Sequence, residues 1–366
     1  MRFLFLLGLL FLTLFSFSQK MWAGYEHLMS PVRNYIVYQT ISEINIDGKP
    51  DESSWQKAEW SENFQDIEGE LKPEPLYKTR FKMLWDNRNL YILAELEEPH
   101  IWTYYSVRDQ VVFHENDFEI FIDPTRNTHN YFEFEINAQN TLFDLYMPKP
   151  YRNGGEALIT WNMRGFKSAV FVDGTLNNPN DIDKKWTVEV AIPFKSLTDY
   201  KEYVMPKDGS HWKINFSRVQ WQTEVVYGKY SKVKDKNTNK HLGENNWVWS
   251  AQGVVNMHFP ERWGLAQFSK NKVGEKTAFF ILPDEEKFAK YLWFVYYKQQ
   301  NHRKTKGYYA PTLSELNIYQ STKTEDGKYI LYNMKVDGHI FRVTLKTERG
   351  LKLSINQDGF FEVLEK

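Results

Sequence analysis

The 366-residue sequence contains no cysteine. That excludes disulfide staples, a thiol nucleophile and a lipid anchor on an N-terminal Cys, so an exported form must be held by its core alone. Excess charge is missing too: 46 Lys and Arg against 47 Asp and Glu leave a net charge of −1, with no clustered basic face. Nucleic acid and acidic membrane surfaces are thereby excluded as main partners, because both need such a face. There is no G-x-S-x-G elbow, no H-E-x-x-H and no Gly-rich phosphate loop. The nine His residues are scattered without metal-ligand spacing. A glycosidase needs two carboxylates across a cleft. Glu119, Glu133, Glu135, Asp144 and Glu224 qualify only by abundance, and Glu133 and Glu135 read as a solvated or ion-paired strand face. No catalytic constellation emerges, and a non-enzyme is expected.

Long apolar runs are confined to the N-terminus. Met1-Arg2 is followed by the apolar stretch from Phe3 to Phe17, with small residues Ser16 and Ser18 before Gln19. The run is shorter than the ~20 residues a membrane-crossing helix needs. It reads as a signal peptide over residues 1–18, predicting a periplasmic or extracellular protein with no transmembrane anchor after cleavage.

Aromatic residues are plentiful: 13 Trp, 22 Tyr and 26 Phe. From about residue 40 to 270, within a domain expected over residues 35–270, apolar residues recur with period two, the signature of strands. Phe81, Met83 and Trp85 form one such set, Phe132, Phe134 and Ile136 another, then Trp186, Val188 and Val190, and finally Trp212, Ile214 and Phe216. Turn clusters such as Asp86 to Asn89 and Arg152 to Gly155 separate them. The pattern predicts an all-β, antiparallel β-sandwich. Residues 275–366 differ and predict a small α+β domain. Asp284 is placed to cap a helix running to about Arg303, with Phe288, Leu292, Val295 and Gln299 at helical spacing. Thr312 and Glu315 form a capping box for a second helix start. Turns at Asp326-Gly327, Asp337-Gly338, Arg349-Gly350 and Asp358-Gly359 then predict an antiparallel meander.

Five stretches occur in one order. They are Ile46-Asp47-Gly48-Lys49-Pro50-Asp51-Glu52-Ser53-Ser54-Trp55, the run TRFKMLWDNRNLYIL from Thr79 to Leu93, and Glu115 to Pro124 (ENDFEIFIDP). Phe134-Glu135-Ile136-Asn137 and the run WTVEVAIP from Trp186 to Pro193 complete the series. In order and spacing, over residues 41–269, they resemble the family 9 carbohydrate-binding modules. The resemblance implies a jelly-roll-like sandwich that binds glycans without catalysis. In that family two Trp rings clamp the terminal sugar while polar side chains bond its hydroxyls. Pyranose rings present apolar C–H faces to aromatic rings and hydroxyls to donors and acceptors. Trp249 of Asn246-Trp247-Val248-Trp249-Ser250 matches one half of the clamp. At the other half this chain has Phe113-His114-Glu115 in place of Trp, leaving His114, Phe113, Trp102, Tyr104 or Tyr105 to supply the ring. The resemblance also admits a structural calcium ion at carboxylates such as Asp117, Glu119 and Asp123, whose alternative role is hydrogen bonding to loops; no cofactor is otherwise required.

Arg218 falls on the apolar face of its strand. A buried Arg needs a carboxylate, with Glu133 or Glu135 at hand, or a ligand. Asn137 and Asp144 are similar cases. The expected carbohydrate-binding set is thus Trp249, Trp247, Arg218, His114, Trp102, Asn137 and Asp144, with a polysaccharide as partner. The C-terminal domain would serve as a spacer or dock to envelope or hydrolase proteins. A structural or protein-binding envelope component is the alternative function, and a role in polysaccharide hydrolysis is the third.

Overall fold

A computed structural model describes residues 21–198 and 205–366; the expected signal peptide lies outside the described residues. The described residues divide into two compact units, residues 32–281 and residues 21–31 with 282–366.

The larger unit carries, in chain order, β1 (Asn34–Gln39), the short helix α1 (Ser53–Lys57), β2 (Gln65–Asp66), β3 (Thr79–Trp85) and β4 (Asn89–Glu97). There follow β5 (Asp117–Asp123), β6 (Tyr131–Asn137), β7 (Leu142–Met147), β8 (Lys167–Asp173), β9 (Lys185–Pro193) and β10 (His211–Gln220). The unit ends with β11 (Thr223–Val226), β12 (Lys229–Lys232), β13 (Asn245–Val248) and β14 (Gly264–Lys272). Along the sheet the order is β7-β6-β5-β10-β14-β1-β3-β4-β9-β8, with β13 pairing β10 and β2 pairing β13. Long β10 makes two layers from one path: His211 to Ile214 pair with β14, whereas Ser217 to Gln220 pair with β13. One core cluster joins Phe81, Met83 and Trp85 of β3 and Val188 and Val190 of β9 to Ile120, Phe134, Ile214 and Phe216 of the opposite layer. The period-two residues read from the sequence are these inward faces, so the predicted all-β sandwich is the fold.

The turn between β3 and β4 forms because Asp86 Oδ1 accepts from the Arg88 and Asn89 amides at 2.7 and 2.8 Å. That local closure leaves Asn89 free to start β4 in register, Trp85 opposite Leu90.

The smaller unit holds α2 (Asp284–Lys306) and the strands β15 (Ser321–Lys323), β16 (Tyr329–Asp337), β17 (Ile340–Thr347), β18 (Lys352–Asn356) and β19 (Phe361–Glu365). They pair in simple meander order. All four predicted Gly turns are present, each Gly at positive φ (85, 57, 95 and 73°), a backbone region glycine enters at no steric cost. Asp284, Glu285 and Glu286 fill the first turn of α2, and Gly307 closes it at φ 87°. Pro283, not Asp284, occupies the N-cap position. The second helix start is corrected to a single 3₁₀ turn, Ser314–Leu316, because Asn317 turns left-handed at φ 53°. The Thr312 hydroxyl still donates to Glu315, at 3.0 Å.

Phe288, Leu292, Val295 and Gln299 are buried as their spacing predicts, but so are Tyr291, Phe294 and Tyr297. The reason lies in the N-terminal segment of the same unit. Trp22 packs on Tyr291 and Phe294 at 5.2 and 5.0 Å, and Tyr25 stacks on Tyr297 at 6.4 Å.

Candidate functional site

The pairing of β5, β6 and β10 decides which side chains share a face. Glu119 lies opposite both Glu135 and Ser217, and Asp117 lies opposite Asn137 and Val219. With Phe118, Ile120 and Ile122 committed to the core, alternation sends Asp117, Glu119, Phe121 and Asp123 to the outer face, joined there by Tyr131, Glu133 and Glu135.

That outer face is not solvated, contrary to the expectation for Glu133 and Glu135. A second apolar cluster of Val112, Phe121, Tyr131, Phe143, Leu145, Met147 and Trp263 packs on it, with Val111, Ala157 and Met257 at its margin. Loops before β5, after β7 and before β14 therefore roof the sheet. Beneath them Asp117, Glu119, Glu133 and Glu135 are 0, 5, 4 and 2% exposed. Asp123 is different: its carboxylate accepts from the amides of Thr125, Arg126 and Thr128 at 2.8–2.9 Å and shapes the turn into β6.

The four remaining carboxyls crowd one another. Burial, then Glu119 and Glu135, hold the Asp117 carboxyl well above the usual carboxylate range. Burial pushes Glu119 up to about 7. Burial and the neighbouring acids raise Glu133 and Glu135 as well. Glu135 accepts from the Phe113 amide at 2.9 Å. His258 approaches Glu133 at 3.7 Å, but burial and then Arg152 push its imidazole down to about 3, so the ring is neutral. Lys213 points to the carbonyls of Glu261 and Trp263, and Arg152 pairs with Glu261. Among the described residues, no Lys or Arg forms an ion pair with any of the four.

At the edge of this face the aromatic side chains open to solvent. Phe113 and His114 sit in a 3₁₀ turn with ring centroids 4.6 Å apart, Phe113 half-buried and His114 exposed. Half-buried Trp221 donates its indole N–H to the Phe113 carbonyl at 2.9 Å. Lys232 places its ammonium 3.7 Å from the Trp221 ring centre and donates to the His114 carbonyl at 2.7 Å. A separate open polar cleft is lined by Ser106, Arg108, Gln139, Asn140, Phe166 and Lys167.

The residues expected from the sequence scatter around this geometry. His114 stands on the open edge. Trp249 does not: it is fully buried, T-shaped against Phe81 at 5.0 Å, and its ring fills the space where a Cβ on Gly264 would stand. It has no face for a sugar, because β13 carries it inward between the layers. Trp247 is also in the core. Trp102 is 4% exposed beside Tyr104, with its indole N–H unpaired. Asn137 is saturated, donating to Thr103 Oγ1 and the Tyr105 carbonyl and accepting from the Gln139 and Thr141 amides at 2.7–3.0 Å. Asp144 pairs with Arg108 and accepts from the Met163 amide at 2.7 Å.

Arg218 has a carboxylate partner, but it is Glu98 at 2.9 Å, not Glu133 or Glu135. Arg218 lies opposite Phe118 on the core face, and the two expected partners point the other way. Its guanidinium also bonds Gln220 and Thr79 at 2.9 and 3.1 Å, and the side chain is wholly buried. Neither Trp221 nor the depth of the acidic face is among the expectations drawn from the sequence. A carboxylate at every second position of two adjoining strands, Asp117, Glu119, Glu133 and Glu135, was the available signal for the latter.

A two-layer sandwich with an edge of open rings beside polar groups defines the class of a carbohydrate-binding-module fold. The model of the family "Carbohydrate family 9 binding domain-like" matches residues 46–269, and the chain belongs to that family. Among solved structures, a protein from Bacteroides uniformis ATCC 8492 is similar, with 16% identity, TM-score 0.45, and coverage of 65% of this chain and 100% of that one. A family 9 module from Caldicellulosiruptor kristjanssonii, solved with cellotriose, gives 16% identity, TM-score 0.40, and coverage of 68% and 100%. A family 9 module from the same organism, solved with glucose, gives 15% identity, TM-score 0.40, and coverage of 66% and 99%. No curated protein matches the sequence.

Proposed function

We propose that the β-sandwich binds carbohydrate without catalysis, and that the sugar stacks on the edge formed by Phe113, His114 and Trp221. Membership of the family over residues 46–269 carries the reading. The edge supports its placement: half-open rings give a pyranose face an apolar surface, and the Lys232 ammonium beside them is a donor for hydroxyls. Trp221 is already oriented by its bond to Phe113 and by the Trp221 amide, which donates to Asn116 at 2.8 Å, so little side-chain freedom is lost on binding. The apolar N-terminal stretch supports export to the periplasm or beyond.

The test is calorimetric titration of the purified protein with a panel of glucans, xylans and mannans, repeated for Trp221→Ala, Lys232→Ala and, in the polar cleft, Asn140→Ala. Saturable binding of one glycan class, weakened at least tenfold in Trp221→Ala with the thermal midpoint retained, is the expected result. No binding across the panel overturns the function. Binding lost in Asn140→Ala but kept in Trp221→Ala overturns the placement and moves the site to the polar cleft.

A further inference from the structure

We propose that the sandwich takes an extended stretch of glycan chain rather than a single sugar ring, with Tyr227 at the tip of the β11–β12 hairpin as a distal stacking ring. This rests on the glycan reading of the Phe113, His114 and Trp221 edge and deepens it.

The hairpin breaks a local rule at its tip. Val226 pairs with Lys229, so Tyr227 and Gly228 alone make the turn. Both stand at positive φ, 51 and 73°. A two-residue turn of that hand favours Asn-Gly, because Asn enters the left-handed region far more readily than a bulky residue does. Tyr227 is therefore strained, and no packing offsets the strain, since its side chain is fully exposed. Turn propensity and burial are the two reasons the fold itself offers for a residue, and neither accounts for this one. A ring held out in water at a conformational cost is accounted for by a ligand that stacks on it.

Continuity with the open edge decides which ligand. β11 begins two residues after Trp221, and β12 ends at Lys232, whose ammonium lies 3.7 Å from the Trp221 ring centre. From Trp221 the chain runs six residues to Tyr227. At the rise of a strand that is about 20 Å, farther than one pyranose ring reaches. Apolar surface continues between the two ends. Val225 is exposed on the face it shares with its cross-strand neighbour Tyr230, and exposed Tyr104 donates its hydroxyl to the Tyr230 carbonyl at 3.2 Å. Thr223, Glu224 and Ser231 interleave with these residues and offer partners to sugar hydroxyls. Trp249, the ring expected to close a clamp on a chain end, is turned into the core.

The experiment titrates the full chain by calorimetry with cello-, xylo- and manno-oligosaccharides, from the monosaccharide to the hexasaccharide, and repeats the series for Tyr227→Asn, Tyr227→Phe and Trp221→Ala. In the wild type, affinity should rise with chain length for one of the three sugars. Tyr227→Asn should bind the hexasaccharide about three- to tenfold more weakly, the worth of one stacked ring, while melting at or above the wild type because Asn suits the turn. Tyr227→Phe should keep the gain with length, and Trp221→Ala should weaken every length. Wild-type affinity that is flat from monosaccharide to hexasaccharide overturns the proposal and leaves the glycan reading standing. So does a Tyr227→Asn variant that keeps the full gain or melts below the wild type. Self-association in sedimentation velocity that Tyr227→Asn abolishes assigns the tip to a second copy of the chain and overturns it as well. No binding at any length overturns the glycan reading itself.

Discussion

Glu189 and Trp55 stand 134 positions apart, yet the Trp55 indole donates to Glu189 Oε1 at 2.8 Å. The other carboxylate oxygen accepts from the amides of Asp47 and Gly48, both at 2.9 Å. One side chain on β9 thus fastens both ends of the segment from Ile46 to Trp55 to the sandwich. Gly48 sits at φ 84°, and a Cβ there would come within 2.7 Å of the Phe171 amide nitrogen, so the segment can lie this close only with glycine at that position.

Replacing Glu189 with Gln turns one acceptor into a donor facing an N–H group. At pH 5 the variant should lose about 2–4 kcal/mol of stability, from a buried donor left unpaired and the bond it breaks. Urea unfolding followed by Trp fluorescence measures it.

The same residue gives a pH signature. Burial outweighs its three hydrogen bonds and pushes Glu189 up to about 7, above its ordinary 4.5. The folded state then holds the proton more tightly than the unfolded chain. Its contribution is fully present below pH 4.5 and is lost as pH rises through about 7. The stability gap between wild type and Glu189→Gln should therefore narrow from pH 5 to pH 8. A gap that widens over that range contradicts the assignment.

Trp249→Ala should act on stability. The ring is wholly enclosed by Phe81, Phe216 and Gly264, and its removal should cost roughly 3–5 kcal/mol. Where the variant remains folded, its glycan titration should match that of the wild type, in contrast to Trp221→Ala.

Arg218→Ala leaves Glu98 buried beside Asn116 and Gln220 with no countercharge. The expected loss is about 3–5 kcal/mol. Joining Arg218→Met to Glu98→Gln should recover at least half of it, because the unpaired charge goes with its partner. Denaturant midpoints of the single and double variants complete the comparison.

Trp22→Ala removes two ring contacts and the bond from the indole to Glu325 at 2.8 Å. The C-terminal unit should lose roughly 3–5 kcal/mol. Limited proteolysis should then cut within residues 282–366 sooner, while the sandwich resists as before.

Much of the architecture was written in local pattern. Period-two runs marked the strands of the sandwich, and four glycines needing positive φ marked the C-terminal hairpins. The Glu and Lys at the two ends of α2 matched its dipole. Such features are legible because each depends on residues a few positions apart. Thr312 misled for the same reason: its contact with Glu315 forms, but the left-handed Asn317 ends the turn before a helix can follow.

Alternation by itself determined that Glu119, Glu133 and Glu135 share a face and that Arg218 lies on the other. Only the tertiary structure decided what covers each face. Loops far along the chain roof the acidic strands, β13 turns Trp249 inward, Glu98 reaches Arg218 across 120 positions, and Trp22 closes over α2. Periodicity records that a side chain points one way or the other. Whether that direction ends in water, a core or a carboxylate depends on segments brought there by the fold, and burial then sets the charge, partners and chemistry of the group.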